Sequence, residues 1–151
     1  MGATIEGGTI GILIADGADG GEIQELVKAV KSAGGKTMLV APKVGGTKLA
    51  DGSTLKADGQ LAGSPSQIFD AVAIVLSDKG CQTLLKEAAA VQFVMDAFGH
   101  LKAIGASNAA TRLLDKADVE ADEGITGLNK AFVEAAGRRY YAREPKVRTL
   151  A

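Results

Sequence analysis

KAIGASNA, residues 102–109, joins a short apolar run to a group of small residues, and a helical pattern starts at Ala110. In a parallel α/β sheet this order is typical of an elbow, a sharp strand-to-helix turn that displays side chains at the carboxyl edge of the sheet. The segment 105–109 also differs at one position from G-x-S-x-G, a signature whose serine is a nucleophile. The stretch therefore predicts an α/β fold and raises the question of whether its elbow carries chemistry.

The residues before this stretch predict a βαβ unit. A continuous apolar run over Thr9–Ala15 is typical of a strand buried on both faces, and a glycine-rich turn follows it. From Glu22 the apolar residues follow a helical period, which ends at Gly34 and Gly35. Thr37–Ala41 then predicts a second strand, so the two strands are expected to be parallel.

The remaining elements predict a three-layer α/β/α sandwich with a mostly parallel sheet of about five strands. Around Asp51-Gly52 the pattern predicts a type I′ hairpin over Lys48–Leu55. The further predicted elements are strands at 70–76, 101–105 and 125–126, and helices at 81–89, 91–98, 110–116 and 128–139. Loops at Gly17, Ser77 and Gly105 are expected to converge at the strand ends, where such sheets bind ligands.

Length, net charge and hydropathy exclude several classes of function. The 151 residues are expected to form one domain, 1–151, with flexible ends at 1–8 and 144–151. A net charge of −1 gives no basic field for nucleic acid, and no apolar run is long enough to cross a membrane. Residues 1–4 lack the pattern of a secretory signal, and the sequence indicates no particular compartment.

Ser107 has two interpretations. As a nucleophile it needs a base beside it, but the sole histidine, His100, precedes the predicted strand and is expected at its other end. As a helix N-cap, either Ser107 or Asn108 needs no second residue. The capping interpretation is favoured for that reason.

Other chemistry-bearing residues also have a structural alternative. Cys81 is either a thiol activated at a helix start or a small buried packing residue, and packing is favoured because no histidine lies near it. Asp16, Asp19 and Glu22 form an acidic edge that is typical of helix-dipole partners rather than of a cation site. The 138–141 segment, Arg-Arg-Tyr-Tyr, is either a docking patch or a solvated helix end. One cysteine and one histidine cannot build a zinc site.

The whole pattern resembles the ThiJ/PfpI family, which has a flavodoxin-like fold related to class I glutamine amidotransferases. Within it, the chain is most similar to the C-terminal domain of large-subunit haem catalases, and this resemblance implies an origin at the C-terminus of a larger catalase. The segments that carry the resemblance are GILIADGADG (11–20), VAP (40–42), DGSTLKADG (51–59), SPSQIFDAV (64–72) and AFGHLK (97–102).

The resemblance implies a vestigial active site. Gly105 stands where active members place a nucleophilic cysteine, and Ser107 follows it without the usual histidine. Glu22 matches the acid that pairs with that nucleophile, and Cys81 lies in the wrong loop to replace it. The family's Pro-Gly-Gly oxyanion loop corresponds to Ser-Asp-Lys-Gly at 77–80, which does not match. The expectation is a domain with no catalytic residue, metal or cofactor of its own.

The resemblance also implies a function for the parent protein. We expect an accessory domain that packs on a haem catalase core and on neighbouring subunits of a tetramer, whose core decomposes hydrogen peroxide. A chaperone-like role in stress response, with partly unfolded client proteins, is a further expectation. The alternative is a stand-alone ThiJ/PfpI-type hydrolase or a redox-sensing thiol protein using Ser107 or Cys81.

Overall fold

The computed structural model describes residues 5–43 and 45–137. These residues contain eight strands and five α-helices in the following order: β1 Thr9–Ile14, α1 Gly20–Ser32, β2 Lys36–Ala41, β3 Thr47–Lys48, β4 Thr54–Leu55, β5 Gly59–Gln60, β6 Ala71–Val75, α2 Asp78–Leu84, α3 Ala88–Gly99, β7 Ile104–Ala106, α4 Thr111–Lys116, β8 Ile125–Thr126 and α5 Lys130–Ala136. In these residues no helix has the length and apolar character that a membrane crossing requires.

Six strands form one parallel sheet in the order β5-β2-β1-β6-β7-β8. The predicted parallel sheet is confirmed, and it has one strand more than expected. The addition is β5, whose two residues, Gly59 and Gln60, pair with Val40 and Ala41 at the end of β2. Two residues are too few for an alternation of apolar and polar side chains, so the sequence pattern does not reveal this strand.

Two apolar layers enclose the sheet. Along β1, Ile10, Ile12 and Ile14 belong to the core shared with α1 and α5, whereas Leu13 belongs to the core on the opposite face. The opposite core contains α2, α3 and α4. Because side chains alternate between the two faces of a strand, one continuous apolar run supplies both cores. The predicted three-layer sandwich is confirmed.

The β3–β4 hairpin is confirmed, but its predicted type I′ turn is wrong. A type I′ turn needs a positive φ at both central residues. Here Gly52 has a φ of +89° and Asp51 does not have a positive φ. Gly52 N–H donates to the Leu49 carbonyl at 3.0 Å, and Leu49 N–H donates to the Ser53 carbonyl at 2.8 Å. This pattern is the three-residue loop that ends in a left-handed glycine.

The two predicted flexible ends are mostly outside the described residues, as is the Arg-Arg-Tyr-Tyr segment at 138–141. Residues 5–8 are described and are packed. Ile5 is buried, Gly7 N–H donates to the Gly34 carbonyl at 3.0 Å, and Lys36 N–H donates to the Gly8 carbonyl at 2.8 Å. This short segment therefore covers the start of the β1–β2 pair.

Candidate functional site

The loops after β1, β6 and β7 meet at the carboxyl edge of the sheet, as the sequence predicts. A Cβ placed on Gly17, whose φ is +94°, would lie 2.8 Å from Ser77 Oγ, so the first two loops touch. Ser77 caps α2 by accepting a hydrogen bond from Gly80 N–H at 3.0 Å. The third loop joins them through Ser107, which hydrogen bonds to Leu76.

Gly105 lies inside β7, and a phenyl ring covers it. It pairs with Ala73 on one side and with Thr126 on the other, and its φ is outside the left-handed region. A Cβ at Gly105 would lie 2.6 Å from Cδ1 of Phe132, which is fully buried in α5. Position 105 therefore requires glycine because the Phe132 ring packs on the strand there. It is not the position of the sharp turn, which follows β7. The assignment of Gly105 as the vacated nucleophile position stays a prediction.

The side chain of Ser107 links two strands instead of capping the helical turn that follows it. Its hydroxyl donates to the Leu76 carbonyl at 2.9 Å and accepts from Leu76 N–H at 3.0 Å. Its own N–H donates to the Ile74 carbonyl at 3.0 Å, which extends the β6–β7 ladder. Ser107 occupies the N-cap position of the 3-10 turn Asn108–Ala110, as the capping interpretation expects, but its side chain accepts no hydrogen bond from that turn. The residue before α4 itself is Ala110, which has no capping side chain.

No base serves Ser107 as a nucleophile among the described residues. His100 is exposed and directly follows α3, before β7, whereas Ser107 follows β7. The two side chains therefore lie at opposite ends of the same strand, as expected from the sequence. Both hydrogen-bonding directions of the Ser107 hydroxyl are used by Leu76, so attack on a substrate would first break the strand pairing.

Cys81 is a packing residue in this structure. It lies in α2, is fully buried and belongs to the core shared with α3 and α4. A reactive thiol requires access to its partner and a thiolate in polar surroundings. The burial of Cys81 favours the packing interpretation over the reactive one.

The acidic edge is largely occupied by backbone. Asp19 caps α1 by accepting hydrogen bonds from Gly21 N–H at 2.8 Å and Glu22 N–H at 3.3 Å. Asp16 Oδ1 accepts from Lys48 N–H at 3.0 Å and so holds the hairpin. Burial, and then the negative charges of Asp19 and Glu25, raise the pKa of Glu22. Across residues 5–43 and 45–137, no three His, Cys, Asp or Glu side chains are grouped closely enough to hold a metal ion.

The described residues do not fit a haem. Haem iron needs an axial histidine, cysteine, methionine or tyrosine that faces a pocket. His100 is exposed at a helix end, Cys81 is in the core, and Met38 and Met95 pack against that core. Met1 and both tyrosines lie outside the described residues. The apolar grooves beside α1 contain none of these four residue types.

Solved structures with the same architecture define the class of fold. A mutant of a DJ-1 superfamily protein from Salmonella typhimurium superposes with a TM-score of 0.72 at 18% identity, over 95% of this chain and 96% of that one. A ThiJ/PfpI domain protein from Brachyspira murdochii gives 0.69 at 15% identity, over 99% of both chains. The chain therefore has the three-layer fold of DJ-1/ThiJ/PfpI domains.

Sequence comparison identifies the family. Residues 6–136 match the C-terminal domain found in long catalases, and the chain belongs to that family. Catalase C of Rhizobium meliloti is 40% identical over an alignment that covers 95% of this chain and 21% of that protein. Catalase HPII of Mycobacterium avium is 36% identical over 79% of this chain and 17% of its own length. The chain thus spans about a fifth of the length of these relatives.

Proposed function

We propose that this chain is the non-catalytic accessory C-terminal domain of a large-subunit catalase. The observation that carries the proposal is the match of residues 6–136 to the C-terminal domain of long catalases. The parent protein would decompose hydrogen peroxide at a haem in a core domain outside this chain. This is proposed because the described residues provide no axial haem ligand that faces a pocket.

The absence of catalysis in this domain is supported by the closed elbow. Phe132 fills the space beside Gly105. The Ser107 hydroxyl forms two hydrogen bonds with the backbone of Leu76. The Glu22 carboxyl has no nucleophile to assist, since Cys81 is in the core. These contacts favour an accessory domain over the alternative of a stand-alone hydrolase or a redox-sensing thiol protein.

An apolar groove beside α1 supports packing against the rest of the catalase. Val27 of α1, Leu39 of β2, and Leu49 and Leu55 of the hairpin line a groove of about 600 Å³. Relatives of this family place about four fifths of their length outside this domain. We propose that the catalase core or a neighbouring subunit of the tetramer covers the groove and that this contact stabilises the assembly.

Mixing the purified chain with haemin tests whether this domain binds haem or has catalase activity of its own. We expect no catalase turnover above that of free haemin, and no Soret shift that indicates an axial protein ligand. Iodoacetamide is expected to label Cys81 only after denaturant is added, because the thiol is buried. Peroxide decomposition by the haemin-treated chain, or rapid labelling of the folded chain, would contradict the proposal.

A chaperone-like role is a separate part of the proposal. The apolar groove beside α1 offers a surface for an unfolded segment. Among the described residues, Ile68 is the one large apolar side chain that is mostly exposed. Light scattering by a heated, unrelated enzyme tests this role. We expect an equimolar amount of the chain to reduce scattering, and a Val27→Asp variant to reduce it less. Unchanged scattering would exclude the chaperone role and leave the accessory role intact.

A further inference from the structure

Four Asp-Gly pairs occur in the chain, at positions 16–17, 19–20, 51–52 and 58–59. Such a pair is prone to a slow rearrangement to isoaspartate, because glycine has no side chain that hinders attack of its nitrogen on the aspartate side chain. In all four pairs the carboxylate accepts a hydrogen bond from a backbone N–H group. The pairs differ in how much of the structure must open before they can react.

The rearrangement passes through a cyclic imide and leaves the mass of the chain unchanged. The glycine nitrogen forms a bond with Cγ of the preceding aspartate, and the hydroxyl group of the side-chain acid leaves with the amide proton as water. Water then opens the five-membered ring at one of its two carbonyls, which gives either aspartate or isoaspartate. The reaction therefore needs a protonated carboxyl group, a free glycine nitrogen and a backbone that is able to rotate.

The first two pairs are held by the sheet edge and by a helix. Asp16 Oδ1 accepts from Lys48 N–H at 3.0 Å, and Gly17 N–H donates to the Lys48 carbonyl at 2.8 Å. Asp19 caps α1, and Gly20 is the first residue of that helix. Rearrangement at these pairs requires the β3–β4 hairpin to leave the loop after β1, or the first turn of α1 to unwind.

The last pair is part of the main sheet. Asp58 Oδ2 accepts from Leu39 N–H at 2.8 Å, and Asp58 N–H donates to the Leu39 carbonyl at 2.7 Å. Gly59 begins β5 and pairs with Val40 of β2. Rearrangement at this pair requires β5 to detach from the sheet.

The pair at the tip of the β3–β4 hairpin is held within its own loop. Asp51 Oδ1 accepts from the N–H group of Ser53 at 2.8 Å and from its hydroxyl, and Gly52 N–H donates to the Leu49 carbonyl at 3.0 Å. Residues 51–54 are all exposed. The two strands pair at only two positions, and a two-stranded hairpin is marginally stable. Local opening of the tip therefore leaves the rest of the fold intact.

Ser53 protects Asp51 while the loop is closed. Its hydroxyl, and then its N–H group, hold the pKa of Asp51 below the ordinary value of 3.8. An ionised carboxylate is a poor target for the glycine nitrogen, because only the protonated acid readily loses water. Ser53 therefore slows the rearrangement, and opening of the tip removes this protection.

We propose that Asp51-Gly52 is the site at which the folded chain forms isoaspartate, and that Ser53 sets the rate. When a loop opens and closes faster than the chemical step, the rate at each pair follows the population of its open form. Among the four pairs, opening disrupts the least structure at the hairpin tip. The site is independent of the accessory role and of the elbow.

Isoaspartate at this position changes the hairpin, because the modified residue adds one atom to the backbone of the loop. Leu49 and Leu55, on either side of the loop, line the apolar groove beside α1. The modification therefore lies next to the surface that packs on the catalase in the proposed function. This consequence rests on that proposal, whereas the site itself does not.

Prolonged incubation of the 151-residue chain at body temperature and mildly acidic pH tests the site, with a second sample kept unfolded in urea. Electron-based fragmentation of the digested chain distinguishes isoaspartate from aspartate at each pair. In the folded chain we expect isoaspartate at Asp51 to accumulate about tenfold faster than at Asp16, Asp19 or Asp58, and in urea we expect similar rates at all four. Equal rates in the folded chain, or no product at Asp51, would overturn the proposal.

Three variants test the role of Ser53 and the origin of the signal. Ser53→Ala is expected to speed the reaction at Asp51 about fivefold, the factor that one ordinary hydrogen bond represents. Ser32→Ala, on an exposed serine at the far end of α1 from Asp19, is the matched control and is expected to react like the parent chain. Asp51→Glu keeps the carboxylate but cannot form the five-membered ring, so we expect no product there. An unchanged rate in folded Ser53→Ala, or the same signal in Asp51→Glu, would overturn the proposal.

Discussion

Phe132 determines which residue the chain tolerates at position 105. A side chain normally strengthens a strand relative to glycine, because glycine loses more backbone freedom on folding. At Gly105 this preference is overruled by the ring, which occupies the space of a Cβ at 2.6 Å.

Gly105→Ala is therefore expected to destabilise the chain by about 1–3 kcal/mol, the usual cost of overpacking a buried site. Chemical denaturation monitored by circular dichroism measures the change in the free energy of unfolding. Gly63→Ala is the matched control, since a Cβ at Gly63 meets no atom within 4 Å, and it is expected to change stability by less than about 0.5 kcal/mol. Equal stability of the parent chain and Gly105→Ala would contradict the role given to Phe132.

Glu22 makes stability depend on pH. Burial, and then the charges of Asp19 and Glu25, raise its pKa above the ordinary value of 4.5. Between the ordinary pKa of the unfolded chain and the raised pKa of the folded chain, the folded state binds more protons at Glu22 than the unfolded state does. The free energy of unfolding therefore falls as the pH rises from about 4.5 through the raised pKa, and it stays lower above that range.

Glu22→Gln removes this loss. The variant is expected to be more stable than the parent chain at about pH 7 and equally stable at about pH 3.5, where the carboxyl is protonated in both states. Urea denaturation at the two pH values measures the difference, with Glu134→Gln, on an exposed residue of α5, as the control for loss of a surface carboxylate. A variant less stable than the parent at neutral pH would show that Glu22 has a stabilising partner instead.

At the scale of elements, Lys102 joins the start of β7 to the turn before β6. Its ammonium group donates to the carbonyl of Ser66 at 3.2 Å and to the carbonyls of Gln67 and Phe69. The residue is only 5% exposed, so these carbonyls are shielded from water along with it. The carbonyls of this turn are thus bound by a side chain, whereas carbonyls in a helix or a sheet are bound by backbone N–H groups.

Lys102→Met keeps the length of the side chain and removes its donors. We expect a loss of about 2–4 kcal/mol in the free energy of unfolding, because buried carbonyls lose bonds to a charged group. Lys86→Met, on an exposed lysine, is the control and is expected to change stability by less than about 0.5 kcal/mol. If the two variants unfold at the same denaturant concentration, Lys102 is not a structural link.

The elements differ in how well the sequence predicts them. β1 and β6 are predictable because each is one apolar run buried on both faces, and α1 because its apolar residues keep a helical period. The turn at Gly52 differs from the prediction because the Asp-Gly pair is compatible with more than one hairpin loop.

The site depends on long-range contacts that local patterns do not contain. Ser107 has the residue type of a helix cap, but its partner is Leu76, which lies 31 positions earlier. The ring on Gly105 comes from Phe132, whose inward position is predictable and whose partner is not.

At the scale of the whole molecule, the family match indicates the class of protein to which the chain belongs, which the fold alone does not. DJ-1/ThiJ/PfpI folds that share this architecture are below 25% identical to the chain and define its shape. The family match and the relatives at 40% and 36% identity associate it with long catalases, of which it covers about a fifth.

The rate of heat inactivation of the parent catalase, measured with and without this domain, tests the accessory role. We expect deletion of the residues that match the family, 6–136, to leave turnover per haem nearly unchanged before heating and to speed the loss of activity on heating several-fold. The reason is that, in the proposed role, the domain packs on the assembly and takes no part in the reaction. Val27→Asp in the groove should shift inactivation in the same direction. If the deleted protein loses turnover per haem at once while retaining its haem, or resists heat as well as the full-length protein, the accessory, stabilising role is contradicted.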